Sequence, residues 1–165
     1  MIQIVKDSDT RPWFFLQTAH TTYGIRVMNT GHLEHLYYGE RITVDSQDPS
    51  SCAPLVIQRA FAPGNTCTYD REHPQISMED VCLEVGTLGK GDIREPFLEV
   101  RFADGSVTSD FTFDSYEIIT LKEKEQCLQD SGLPHSYSEV ETDSAECLQI
   151  VLQDVTNHLE LQLFY

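Results

Sequence analysis

The sequence predicts an all-β protein, built as an antiparallel sandwich or barrel with at most short helical turns. In several segments apolar residues recur at every second position, which places them on one face of a strand. Turn residues separate these segments at intervals of about ten residues, a rhythm typical of antiparallel sandwiches and barrels. A chain of 165 residues has the length of a single domain.

The first forty residues predict four strands. In the clearest of them, Tyr23, Ile25 and Val27 lie on one face and three other residues alternate with them. The four segments are residues 1–5, 13–16, 23–28 and 32–38.

Two later stretches predict β-hairpins. In residues 98–113, alternating apolar residues precede the turn pair Asp104-Gly105, and a second alternating segment follows it. In residues 147–165, two alternating segments flank a polar turn. The sequence stops in the middle of the last alternating segment, so we expect the chain to be truncated from a longer protein.

Between these regions, residues 45–65 predict a long ordered loop around one short apolar run. Long loops are uncommon in compact β domains and often carry function. Further on, Ser77 and Asp80 resemble the start of a helix, which Gly86 and Gly89 would cut short.

The chain is acidic, with a formal net charge of -16 from 27 Asp and Glu against 11 Lys and Arg. Nucleic acids and anionic membranes would repel it, so we expect neither as a partner. No segment has the hydropathy of a membrane span or the charge pattern of a signal peptide. The five cysteines are odd in number and lack C-x-x-C spacing, so we expect free thiols and a cytoplasmic location.

The residue types that could carry chemistry form no convincing site. His32 and His35 are three positions apart, and on a strand this spacing points them to opposite faces, away from a shared metal ion. Asp92 and Glu95 flank Arg94, and pairing with that guanidinium would lower their pKa values, which is wrong for the general acid of a glycosidase. The sequence therefore predicts no catalytic residue, no metal site and no cofactor in this chain.

Two classes of function remain open at this point. One is a carbohydrate-binding or accessory domain of an enzyme, and the other is a free-standing interaction module. Aromatic side chains could stack on sugar rings if they were exposed, but in an all-β domain such residues more often pack in the core.

Several motifs taken together resemble the N-terminal domain of glycoside hydrolase family 36 α-galactosidases. The run GKGDIREPFLEVRFADGSVTSDFTFDSYEI, residues 89–118, is similar to the family's G-x-GD-[FY]-R-x-P loop with the strand, D-G turn and DF-x-Y strand that follow it. GHLEHLYYGERI, residues 31–42, is similar to the family's HLYYG segment, and RAFAP, residues 59–63, to its R-x-x-SP segment. The resemblance covers nearly the whole chain.

This resemblance implies that residues 1–165 form one large antiparallel β-sandwich, a supersandwich, ahead of a catalytic (β/α)₈ barrel on the same chain. The retaining reaction, with one Asp as nucleophile and one as acid/base, would take place in that barrel, so this chain alone would be inactive. Family members are often homotetramers, in which a loop of this domain reaches the rim of a neighbouring subunit's active site.

The loop that matches here is residues 41–59, and the resemblance makes Asp48 and Arg59 the candidate substrate-binding residues. A carboxylate and a guanidinium suit hydrogen bonds to sugar hydroxyls. The alternative is that the two residues pair within the loop. The implied partners are therefore an α-galactoside, the barrel domain and further copies of the same chain.

Overall fold

The computed structural model describes residues 1–6, 11–57, 68–92, 95–120 and 146–165. In these ranges most of the regular structure is β-strand, which confirms the all-β prediction, and the helical elements are the short 3₁₀ helices Pro49–Leu55 and Met78–Asp80. No helix in the described ranges is long and apolar enough to cross a membrane. The strands are β1 (Ile2–Lys6), β2 (Pro12–Gln17), β3 (Thr21–Val27), β4 (Leu33–Glu40), β5 (Thr87–Leu88), β6 (Gly91–Asp92), β7 (Thr112–Thr120), β8 (Glu146–Asp154) and β9 (Leu159–Phe164).

Strands β1 to β4 form the first sheet, antiparallel and in chain order, and they correspond to the four early segments that the sequence predicts as strands. A β-bulge at Leu36 shifts the register between β3 and β4, so that Ile25 faces His35 while Tyr23 faces Tyr38. The bulge therefore gathers aromatic side chains of both strands on one face of the sheet.

Strands β7, β8 and β9 form the second antiparallel sheet. Leu148, Ile150 and Leu152 alternate along β8 and are 0%, 0% and 1% exposed. A turn at residues 155–158 joins β8 to β9. The hairpin predicted at residues 147–165 is confirmed.

The two sheets pack face to face around one apolar core, which makes the fold a sandwich. Phe14 and Ile25 of the first sheet and Leu148 and Ile150 of the second are all fully buried in it. The ring of Phe14 meets Tyr116 of β7 edge-on, with 5.1 Å between ring centroids. Burying each such side chain contributes roughly 1.5–3 kcal/mol, so this contact between the sheets is a main source of stability.

The first sheet is also covered on its other face, by residues 41–57, which we call the covering loop. Trp13 and Phe15 of β2 point to this face because neighbouring residues on a strand alternate in direction. They pack with Val44 and Cys52 of the covering loop in a second buried cluster. The first part of the long predicted loop is thus an ordered layer on the sheet.

The hairpin predicted at residues 98–113 is wrong in its pairing. Leu98 makes one isolated bridge with Thr87, and residues 99–111 belong to no strand. The second half of the predicted hairpin starts at Thr112 as β7 and pairs with β8 along nearly its whole length. The predicted local pairing within residues 98–113 is therefore absent, and β7 pairs instead with β8, which is distant in sequence.

The turn inside that stretch does form. Gly105 has a φ of 88°, a conformation that favours glycine, and the Phe102 N–H donates to the Ser106 carbonyl at 2.9 Å. The Asp104 carboxylate accepts a hydrogen bond from the Ser106 N–H, also at 2.9 Å. The turn chemistry of the Asp-Gly pair was therefore predicted correctly.

The helix start predicted at Ser77 is a single turn of 3₁₀ helix, Met78–Asp80. Ser77 occupies the N-cap position, but its hydroxyl makes no capping hydrogen bond. The backbone is extended again at Val81, so the helix is short, but it ends before Gly86 and Gly89, the residues that the sequence predicts would end it.

Candidate functional site

The covering loop, which carries the candidate Asp48, is fixed to the first sheet by hydrogen bonds as well as by packing. The side-chain amides of Gln3 and Gln17 donate to the carbonyls of Val44 and Ile42, at 2.7 and 2.9 Å. The Ile42 N–H donates to the Thr22 hydroxyl at 3.1 Å. The loop backbone is therefore held in a defined place on the sheet.

Asp48 caps the first 3₁₀ helix. Its Oδ1 atom accepts hydrogen bonds from the Ser50 N–H at 3.0 Å and from the Ser50 hydroxyl at 2.6 Å. Its backbone carbonyl accepts from the Ser51 hydroxyl at 2.7 Å. The side chain is exposed, and within the described part of the chain its Oδ2 atom has no hydrogen-bond partner. Asp48 thus offers solvent one carboxylate oxygen whose position the cap fixes.

The second candidate, Arg59, lies outside the described residues, and its pairing with Asp48 stays a prediction. The ion pairs predicted between Asp92, Arg94 and Glu95 depend on Arg94, which also falls outside the described ranges. Cys52 of the covering loop is 1% exposed, and burial raises the pKa of its thiol. A thiol with a raised pKa is a poor nucleophile, and Cys52 packs in the second buried cluster.

A partly buried polar cluster, which the sequence did not predict, joins the two sheets at one end of the sandwich. His32 stands directly before β4, is 3% exposed and places its Nε2 atom 2.7 Å from Oδ1 of Asp110. The Tyr69 hydroxyl donates to Oδ2 of Asp110 at 3.0 Å, and the Lys90 ammonium lies 3.2 Å from the same oxygen. We call His32, Tyr69, Lys90 and Asp110 the Asp110 cluster.

Charge pairing controls ionisation in the Asp110 cluster. Burial by itself would raise the pKa of Asp110, but the hydrogen bond and charge of His32, with the charge of Lys90, lower this pKa to about 2. Burial and the neighbouring carboxylate raise the pKa of Tyr69. The carboxylate is therefore ionised throughout the physiological range and cannot serve as a proton donor.

A second polar cluster surrounds Glu84, where residues of β3, β4 and the end of the chain meet. The Tyr23 hydroxyl donates to both carboxylate oxygens of Glu84, at 2.8 and 2.7 Å, and the Tyr165 hydroxyl donates to Oε1 at 2.7 Å. Nδ1 of His35 is 3.8 Å from Oε2 of Glu84. Burial, together with Glu84, raises the pKa of both tyrosines. We call these four residues the Glu84 cluster.

The two histidines therefore have different partners, as their spacing predicts, although His32 is more deeply buried than the sequence suggests. Nothing local could reveal these partners, because His32 and Asp110 are separated by 78 positions and His35 and Glu84 by 49. Among the described residues, no group of three or more His, Cys, Asp or Glu side chains is arranged to hold a metal ion.

The chain is similar in sequence to a domain of known enzymes. Residues 31–165 match the profile of the glycosyl hydrolase family 36 N-terminal domain. The bifunctional α-galactosidase/sucrose kinase AgaSK of Mediterraneibacter gnavus is 36% identical over 154 residues, which cover 92% of this chain and 15% of that protein.

Solved structures show the same relationship. The crystal structure of the α-galactosidase from Lactobacillus brevis matches 98% of this chain and 20% of its own, with a TM-score of 0.74 and 29% identity. A doubly substituted variant of the α-galactosidase AgaA from Geobacillus stearothermophilus, solved in complex with raffinose, matches 93% of this chain and 20% of its own, with a TM-score of 0.65 and 26% identity. The chain thus spans between 15% and 20% of the length of these relatives.

Proposed function

This chain belongs to the family of glycosyl hydrolase family 36 N-terminal domains, and from that membership we propose that it is the non-catalytic amino-terminal part of an α-galactosidase. The whole enzyme would release terminal α-linked galactose, by a retaining two-carboxylate reaction in a barrel domain downstream. The observation that carries the proposal is the match of residues 31–165 to this domain family, supported by α-galactosidase relatives of five to six times the chain's length.

The ionisation of the described carboxylates supports a non-catalytic role. A glycosidase needs one carboxyl group whose pKa is raised, so that it stays protonated and can donate to the leaving oxygen. In the described part of the chain, the four Asp side chains with clearly shifted pKa values are all shifted downward. They are Asp70, Asp104, Asp110 and Asp154.

The second part of the proposal concerns a substrate contact made by the covering loop. Asp48, together with Arg59, contacts the galactoside at the rim of a neighbouring subunit's active site in a homo-oligomer. The support is geometric: the loop is fixed to the sheet, and Asp48 holds one oxygen in its cap while the other faces solvent. A carboxylate oxygen with no partner can accept a strong hydrogen bond from a sugar hydroxyl.

A cytoplasmic location is part of the same proposal. Within the described part of the chain the thiols of Cys52 and Cys82 form no disulfide, which suits a reducing compartment. Fractionation of the source cells tests this, and recovery of the protein in the extracellular fraction would contradict it.

The decisive experiment compares this chain with the full reading frame that encodes it. We expect the reading frame to continue past Tyr165 into a barrel with two catalytic aspartates, and its product to hydrolyse an aryl α-galactoside. We expect residues 1–165 alone to give no turnover. Turnover by the isolated chain would place the chemistry here and overturn the proposal, and sugar binding by a complete protein of this length would favour the free-standing module.

A further inference from the structure

A cleft of about 190 Å³ opens between the β3–β4 turn and residues 75–81. It is distinct from the exposed oxygen of Asp48, although Ile57 at its edge lies two residues beyond the 3₁₀ helix that Asp48 caps. Ligand pockets for drug-sized molecules usually measure roughly 300–1,000 Å³, so a cleft of this size suits one small ring.

One polar group at the cleft lacks the partner that such a group normally has. Ser77 is 3% exposed, and its hydroxyl has no hydrogen-bond partner among the described residues. Arg26 beside it is held by Glu34, which accepts from Nε at 2.6 Å, and by the ring of Trp13, whose centroid is 5.3 Å from the guanidinium carbon. Buried polar groups are nearly always hydrogen-bonded, so an unsatisfied buried hydroxyl beside a cleft points to a ligand that completes it.

The remaining lining determines the kind of ligand. Arg26, Asn29 and Gln75 bring hydrogen-bond donors, and Glu34 and Asp80 bring carboxylate acceptors. A ligand that meets both sets must carry groups that donate and accept at once, as hydroxyls do. An anionic ligand would face the charges of Glu34 and Asp80, which disfavour it.

The apolar part of the lining indicates that the ligand is a ring with apolar faces. The side chains of Met28, Ile76 and Val81 form an apolar wall in the cleft. A pyranose or furanose presents carbon-bound hydrogens on its faces and hydroxyls around its rim, so it can satisfy the wall and the polar groups together. We propose that this cleft binds a single neutral sugar unit, separately from the catalytic reaction and from the proposed contact of Asp48.

Methyl groups that line the cleft allow sugar binding there to be measured by NMR. In the full-length protein that carries this chain, methyl NMR spectra would follow Met28, Ile57 and Ile76, which line the cleft, and Ile118 and Ile119, which lie on β7. We expect D-galactose or D-glucose to shift the three cleft methyls and to leave the two β7 methyls in place. Sodium acetate, a small anion, should shift none of them.

Substitutions in the cleft distinguish sugar binding in the cleft from sugar binding at other sites on the protein. Replacing both Asn29→Ala and Gln75→Ala removes two exposed amides without touching the core, and should raise the apparent Kd measured at the cleft methyls by about tenfold, the loss of one or two good hydrogen bonds. Gln47→Ala, an exposed amide outside the cleft, should leave that Kd unchanged.

Three results would overturn the cleft as a sugar site. They are absence of cleft shifts with every sugar, equal affinity in the Asn29/Gln75 double variant, and shifts produced by acetate as strongly as by sugar. Turnover of an aryl α-galactoside, measured on the same samples, reports the proposed function independently. Loss of the cleft shifts with normal turnover would reject only the cleft, and cleft shifts without turnover would reject only the α-galactosidase.

Discussion

The imidazole of His32 and the carboxylate of Asp110 are 2.7 Å apart, although 78 positions separate them in the chain. His32 precedes the edge strand of the first sheet, and Asp110 precedes the first strand of the second. The Asp110 N–H also donates to the Asp154 carboxylate at 3.0 Å, at the turn of the last hairpin. This pair therefore ties both sheets and the final hairpin together at one end of the sandwich.

The Asp110 carboxylate should make the stability of the fold sensitive to acid. Its pKa is about 2 in the folded state, below the ordinary Asp value. A lowered pKa stabilises the fold fully above pH of about 4, and that contribution disappears as pH falls towards 2. We expect Asp110→Asn to lower the free energy of unfolding by about 2 kcal/mol at pH 7 and to flatten its decline in acid. Urea unfolding between pH 7 and pH 2.5 measures both effects.

The control for this prediction is Asp114→Asn, which removes an exposed carboxylate on β7. It should leave both the stability and its acid dependence close to those of the unchanged chain. An Asp110→Asn protein with the original acid dependence would show that other carboxylates, and not Asp110, control unfolding in acid.

The Glu84 cluster predicts an effect at the opposite end of the pH scale. Burial and Glu84 raise the pKa of Tyr23, so its contribution to stability is complete below pH of about 10 and is lost as pH rises further. Tyr23→Phe removes a hydrogen bond to a carboxylate and should destabilise the fold by about 1.5–3 kcal/mol near neutral pH. It should also make the loss of stability above pH 10 shallower, which urea unfolding in alkaline buffers would measure.

Tyr38→Phe provides the comparison, because Tyr38 is 71% exposed and lies opposite Tyr23 in the same sheet. Its effect on stability should be within about 0.5 kcal/mol of zero. Equal effects of the two changes would mean that the bond to Glu84 contributes nothing.

Gly31 should tolerate no side chain. Its φ is 85°, and a Cβ atom there would lie 3.1 Å from the Cβ atom of Thr112, where the turn after β3 meets β7. Gly31→Ala should therefore cost backbone strain and in addition push the two sheets apart, for a loss of about 2–4 kcal/mol in unfolding free energy.

Gly89→Ala is the matched change, since Gly89 has a φ of 78° but nothing within 4 Å of the added atom. It should cost only the strain, about 1 kcal/mol; similar losses at both sites would argue against a close contact at Gly31.

Phe14 is a fully buried residue of the first sheet in the sandwich core. It is 0% exposed and packs against Phe113 and Tyr116 of β7. Phe14→Ala should lower the unfolding free energy by about 3–5 kcal/mol, through lost burial and the cavity that remains. Phe97→Ala, at a site that is 69% exposed, should change it by less than about 0.5 kcal/mol. Denaturant titration of both variants measures the difference, and a loss below about 1 kcal/mol for Phe14→Ala would contradict a shared core.

Alternation predicted the second hairpin well, because β8 and β9 are neighbours in sequence and their turn fixes the register. The same reasoning failed for residues 98–113. There the alternation is expressed as burial, with Leu98 and Val100 packed against the core, but β7 is hydrogen-bonded to β8, and their paired residues are 26 to 41 positions apart in the chain. A periodic pattern indicates which side chains turn inward, and it does not indicate which strand supplies the backbone partner.

The candidate site residues also fall into two groups, those that a local motif indicates and those that only the packing of the sheets brings together. Asp48 came from a motif resemblance, and its local role as a cap is visible in the spacing of Asp48 and Ser50. The Asp110 and Glu84 clusters depend on residues brought together only by the packing of the sheets. Since their charges and hydroxyls lie in separate strands and loops, no window of the sequence contains the pairing.

Asp48 should affect substrate binding more than stability. In the full-length protein, Asp48→Asn keeps an oxygen that can accept the Ser50 hydrogen bonds but loses the charge that would strengthen a bond to a sugar hydroxyl. A charged hydrogen bond is worth about 1.5–3 kcal/mol, so the KM for raffinose should rise about tenfold or more with little change in thermal stability. Asp48→Ala should give the same rise in KM and, through loss of the cap, about 1 kcal/mol of destabilisation as well.

Asp45→Asn distinguishes a substrate contact from a general effect of charge in the covering loop. Asp45 is exposed in the same loop and accepts a hydrogen bond from the Gln47 N–H at 2.9 Å, so its replacement removes a similar charge three residues away. It should leave KM within about twofold of the original value, since a surface substitution changes such energies by only about 0.5 kcal/mol. If Asp48→Ala lowers stability while KM stays unchanged, Asp48 is a helix cap alone, and the proposed contact with the galactoside is wrong.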